Sequence, residues 1–145
     1  MMKRFGLLVA AALMVATPHI GQSHCQIPCG IYGDDARFVE LYEHVKTIRK
    51  SIVKIKELSK GEDKNQLVRW VLNKEVHADK VSDIAHKYFL AQRIKEGSTH
   101  YVDNLKSLHK IVVYAMKTKQ SLDTANVDKL EAAIKALQEK YGHKH

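Results

Sequence analysis

The sequence predicts an all-α protein, an antiparallel four-helix bundle behind a short N-terminal segment of different character. Three observations carry this reading. Apolar residues recur three and four apart along four long stretches, strand-like alternation is weak, and the breaks between stretches are short. Only 2 prolines and 7 glycines interrupt 145 residues, which leaves long helices possible and excludes collagen-like or low-complexity architecture. With 45% apolar and 28% charged residues, the chain suits one packed domain rather than a disordered one.

The first 23 residues read as a cleaved leader. Lys3 and Arg4 form a basic start, and Phe5 to Thr17 is a largely apolar run of 13 residues. That run is too short to span a bilayer and about right for a signal peptide. Gly21 and Ser23, small residues one apart, match the small-x-small rule for cleavage after Ser23. Removing 23 of the 145 residues leaves 122, beginning at His24, with no stable membrane association expected afterwards. Lys3-Arg4 is not a twin-arginine signal, so a Sec-type route to the periplasm or the exterior is expected.

The first helix begins at Asp34 and Asp35, which offer an N-cap and an acidic first turn. Its seam is Phe38, Leu41, Val45, Ile48, Ile52 and Ile55, and Gly61 ends it. A second helix is expected from about Asp63 to Phe89, with Leu67, Trp70, Val71, Val81, Ile84, Ala85 and Tyr88 inward. The third spans roughly Thr99 to Lys119 through Val102, Leu105, Leu108, Val112 and Ala115. Asn126 is the expected cap of the fourth, which carries Val127, Leu130, Ile134, Leu137 and Tyr141.

A formal charge of +8, from 24 Lys and Arg against 16 Asp and Glu, raises the question of nucleic acid. The leader carries two of those positive charges, so +6 remains after cleavage. The basic residues are scattered among the acidic ones, with no Lys/Arg block and no nucleic-acid motif. No nucleic-acid partner is expected.

The segment His24-Cys25-Gln26-Ile27-Pro28-Cys29-Gly30-Ile31-Tyr32 does not belong to a structural bundle. Both cysteines of the protein fall within five residues, beside a histidine and around a Pro/Gly turn. Three readings compete. A Cys25–Cys29 disulfide would close so short a loop that it stabilises little. Zinc would find three side-chain ligands and need a fourth from elsewhere. If cleavage frees the His24 amine, that amine, the Cys25 amide nitrogen and the two thiolates form an N2S2 set suited to square-planar Ni(II) or Cu(II).

The run HCQIPCGIY resembles the nickel hook of nickel-dependent superoxide dismutases, whose mature chains start H-C-x-x-P-C-G-x-Y. The resemblance implies a four-helix-bundle superoxide dismutase domain over residues 24–145, with the hook at 24–32. It implies disproportionation of superoxide, a small anion, to dioxygen and hydrogen peroxide, with one nickel ion per subunit cycling between Ni(II) and Ni(III). It further implies His24, Cys25 and Cys29 as the metal ligands, Tyr32 as a gate near the open face of the metal, and a homohexamer. Glu40, sixteen residues after His24, stands where the family places a glutamate that orients the axial imidazole. Some family members use a cytoplasmic protease on a non-secretory leader, which is the alternative to export.

Two departures stand out. Gln26 replaces an aspartate common at the third hook position. The family's second-helix arginine has no direct match in Asn73-Lys74-Glu75-Val76-His77-Ala78, leaving Arg69 and His77 as candidates for its place. His44, His86, His100 and His109 are expected to be single solvent-facing or structural histidines. A non-enzymatic nickel- or copper-delivery protein with the same hook is the rival reading. Free thiolates in a peroxide-producing site climb the oxidation ladder, whereas metal-bound thiolates are depleted of electron density. Mass spectrometry after peroxide treatment is therefore expected to find Cys25 and Cys29 oxidised in metal-free protein and protected in nickel-loaded protein.

Overall fold

A computed structural model describes residues 33–141. Four helices form in the expected order: α1, Asp34–Leu58; α2, Lys64–Asp83, which runs on into a π-helical segment, Ile84–Arg93; α3, Tyr101–Gln120; and α4, Thr124–Tyr141. Among the described residues there is no strand. No helix there is long and apolar enough to cross a membrane.

Side-chain pairs show that neighbours run antiparallel. Between α1 and α4, Tyr42 meets Gln138 while Arg49, seven residues on, meets Asp128 and Glu131. Between α1 and α2, His44 meets His77 while Ser51 meets Asn73. Each helix packs on the ones before and after it, and α4 closes the ring against α1. The predicted antiparallel four-helix bundle is the observed fold.

The α1 seam holds at every position: Phe38, Leu41, Val45, Ile48, Ile52 and Ile55 are all buried. All but Ile55 join a core with Ala78, Val81 and Phe89 from α2 and its extension, Ile111 and Ala115 from α3, and Leu130, Ile134 and Leu137 from α4. Elsewhere the seam departs from expectation. Val71 and Val102 are exposed, Val102 at 58%, and Leu67 and Trp70 are only half-buried.

The boundaries differ for local reasons. Gly33, not Asp34, is the N-cap of α1, and Asp34 lies inside the first turn. Asp63 caps α2 as expected, its Oδ1 accepting from the Gln66 amide at 3.0 Å. The second helix runs to Arg93 rather than Phe89 because its last turns widen, the Ile94 amide reaching back five residues to the Phe89 carbonyl. Gly97, at φ +83°, makes the turn that follows. Asp123, not Asn126, caps α4, its Oδ1 accepting from the Ala125 amide at 2.9 Å. Asn126 instead donates to the Ser121 hydroxyl.

A lysine fastens α2 to the end of α3. Lys74 is buried, and its ammonium donates to the carbonyls of Thr118 and Lys119 at 2.8 and 2.6 Å and to Glu75 at 2.8 Å. It thereby satisfies carbonyls that a helix C-terminus leaves without intrahelical donors, at the end where a cation is favoured. Lys74→Met keeps the aliphatic stem and removes the donors. It is expected to lower the unfolding free energy by about 2 kcal/mol in urea titrations.

Candidate functional site

The hook residues His24, Cys25, Cys29 and Tyr32 lie outside the described residues. The structure shows the ground on which that segment is rooted. Among the described residues no group of three or more His, Cys, Asp or Glu side chains is placed to hold a metal. Both cysteines of the chain belong to the hook segment.

The root is Asp34, two residues after Tyr32. Its Oδ1 accepts from the Tyr88 hydroxyl and from Arg93 Nε at 2.9 Å, and its Oδ2 accepts from the Tyr141 hydroxyl at 2.9 Å. One carboxylate thus joins the start of α1 to the π-helical segment and to the last turn of α4. The widened turns matter here. A π-helix stacks residues five apart, and Tyr88 and Arg93 are five apart, with Arg93 Nη2 donating to the Tyr88 hydroxyl at 3.0 Å. In a regular α-helix those two side chains diverge and do not share one acceptor. Beneath the clamp the rings of Phe38, Phe89 and Tyr141 pack with centroids 4.9 to 6.0 Å apart.

Burial alone raises the pKa of Asp34, but the Tyr88 and Tyr141 hydroxyls and the Arg93 guanidinium outweigh it and hold the carboxyl below its ordinary 3.8. Burial and the same carboxylate push Tyr141 up. Tyr88 rises for the same two reasons, with Arg93 opposing.

From the clamp a polar strip runs along α1 at helical spacing: Asp34, Arg37, Glu40, His44. Arg37 lies over the Tyr88 ring, 5.5 Å from its centroid, and donates to Glu40 Oε2. The other Glu40 oxygen faces His44 Nε2 at 3.8 Å. His44 Nδ1 in turn lies 3.1 Å from Nδ1 of His77 on α2, the rings edge to face. The expectation of a single His44 is corrected, because the antiparallel register of α1 and α2 pairs it with His77. Burial lowers the pKa of both histidines below 6.5. His77 and Lys80 push His44 further down against Glu40 and Glu43, and Lys80 does the same to His77.

Of the two candidates for the missing arginine, the structure brings His77 toward Glu40 and leaves Arg69 away from it. Arg69 is exposed, eight residues or about 12 Å earlier on α2, in a shallow cleft with Gln66, Trp70 and Asn73. The cation that does touch Glu40 is Arg37, one turn before it on the same helix. Sequence reasoning passed over Arg37, although its three-residue spacing to Glu40 was there to be read.

Linkage gives these groups opposite ends of an acid titration. A histidine whose pKa falls on folding contributes stability that is present above 6.5 and lost as pH falls below it. A depressed aspartate contributes stability present above 3.8 and lost below. Urea unfolding of metal-free protein is expected to weaken in two stages as pH falls. His77→Gln should shrink the first stage. Asp34→Asn should remove the second and cost about 2 kcal/mol at neutral pH.

A family model described as nickel-containing superoxide dismutase matches residues 19–145, the hook and the whole described bundle together. No curated protein and no solved structure matches the chain. The match spans far more than half of the chain, and the fold and the hook motif agree with it. The chain belongs to the nickel-containing superoxide dismutase family, a family of oxidoreductases that act on superoxide with nickel as cofactor.

Proposed function

We propose that the chain is exported, cleaved after Ser23, and works as a nickel superoxide dismutase whose metal is held at its new N-terminus. The observation that carries the reading is that the family match runs through the segment holding both cysteines and on across the bundle.

The donor set fits nickel. His24 would supply the α-amine and its imidazole, Cys25 an amide nitrogen and a thiolate, and Cys29 a second thiolate. Such anionic sulfur and nitrogen donors bring the Ni(III)/Ni(II) couple into the range needed for one-electron exchange with superoxide. Tyr32 would stand as the gate over the open face.

The residues of the bundle have supporting roles. Asp34 anchors the chain directly after the hook, so the loop starts from a fixed point. Glu40 lies seven residues into α1 from Gly33, about 10 Å along the axis. Nine residues of hook reach up to about 30 Å when extended, more than enough to return to it. The Glu40 side chain remains 38% exposed and can accept from the distal nitrogen of the His24 imidazole, which would fix its tautomer and orientation. Lys95 and Lys140, with Arg93, line a cleft beside the clamp, and this positive edge favours approach of a small anion. Val68, Leu72 and Val76 form an exposed apolar strip on α2 suited to contacts between subunits in a homohexamer.

The test has two parts. Intact mass of the purified protein is expected to give an N-terminus at His24, and any other start removes the amine donor and ends this reading of the site. Nickel-dependent superoxide decay is expected to fall to the uncatalysed rate in Cys25→Ser and Cys29→Ser. Tight nickel binding by the native chain without turnover would favour metal delivery instead.

A further inference from the structure

The histidine pair does something that packing does not require. With the two Nδ1 atoms 3.1 Å apart, one must donate and the other accept. Two assignments exist. His44 Nε2 is buried, has no hydrogen-bond partner among the described residues, and faces Glu40 Oε1 at 3.8 Å. If His44 carried its proton on Nδ1, a bare buried Nε2 lone pair would point at a carboxylate oxygen, unsatisfied and repelled. If the proton is on Nε2, the N–H dipole points at Oε1, and Nδ1 is free to accept from His77 Nδ1–H. The second assignment makes the hydrogen bond between the rings and turns the repulsion across the 3.8 Å gap to Oε1 into attraction.

We propose that His77 and His44 are positioning residues, a one-directional chain of two imidazoles that crosses from α2 to α1 and ends on Glu40. His77 Nδ1–H donates to His44 Nδ1, and His44 Nε2–H points at Glu40 Oε1, while Arg37 holds Oε2. A glutamate side chain has three rotatable bonds. Hydrogen-bonded at Oε2 and faced by an N–H dipole across Oε1, it presents one orientation to an incoming imidazole. The chain works in the neutral state of both rings, because a second proton would set two donors face to face at 3.1 Å. The charged groups around it are Glu40 and Glu43 on α1, Lys80 on α2, and Arg37 beyond Glu40. Burial, the neighbouring ring and Lys80 oppose that second proton and outweigh the two glutamates that favour it, so the neutral chain persists below the ordinary histidine range and is broken only by acid. The inference rests on the reading of Glu40 as the carboxylate that receives His24.

Long-range nitrogen–proton NMR on ¹⁵N-histidine-labelled, metal-free protein at pH 7.5 reads the tautomers directly. The expected pattern is His44 protonated on Nε2 and His77 on Nδ1. Both rings in the Nε2–H form, or His44 protonated on Nδ1, would overturn the chain. These signals report on it whether or not the hook docks on Glu40. The failure of that docking shows separately, as His44 signals that stay unmoved when nickel is added. In nickel-loaded protein, His77→Leu is expected to lower turnover about tenfold while retaining nickel. His77→Gln, whose amide can still donate to His44, is expected to keep most of it and to flatten the acid limb of the pH–rate profile. Equal activities and pH profiles for the two variants would reduce His77 to a packing residue and overturn the proposal.

Discussion

The geometry of this end of the bundle depends on a single carboxylate. Asp34 gathers three donors from two other elements and is the first helical residue after the hook segment. Without it, α1 begins freely, and the π-helical turns lose the reason for bringing Tyr88 and Arg93 onto one acceptor. Widened turns cost regular hydrogen bonding, so they persist where something else holds them, and here that something is an ionic clamp. The network then passes by contact from Tyr88 to Arg37, to Glu40, to His44 and to His77. A strip of polar residues along one helix thereby connects the root of the hook to the middle of the bundle.

The bundle itself was legible because its information is periodic. The seam of α1 is a repeat of branched apolar residues with no interruption, and every predicted position is buried. Val71 and Val102 broke the pattern because periodicity reports a face and says nothing of how wide a part of it the neighbours cover. The π-helical segment was not legible. Over ten residues, a shift from 3.6 residues per turn to a wider spacing moves each side chain too little to leave a signature in apolar spacing. Its visible sign is a tertiary one, the shared acceptor 54 residues upstream of Tyr88.

The site divides along the same line. The segment proposed to hold the metal is a contiguous motif, and its nine residues carried the family resemblance. What surrounds Glu40 is assembled across helices, and only the register of α1 against α2 pairs His44 with His77. That is why His44 read as a solitary residue while Glu40 was singled out by its distance from His24. The cation beside Glu40 comes from its own helix, as Arg37, and α2 reaches Glu40 only through His77 and His44.

The participation of Tyr141 has a temporal side. Its hydroxyl completes the clamp on a residue 107 positions earlier in the chain. A polypeptide emerging from a ribosome or a translocation pore presents its N-terminal residues first, and α4 last. The chain ahead of Asp34 thus emerges before the clamp on Asp34 can close. The order of synthesis leaves an interval in which the chain ahead of Asp34 has emerged while its anchor is unfinished, and completion of the final helix ends that interval.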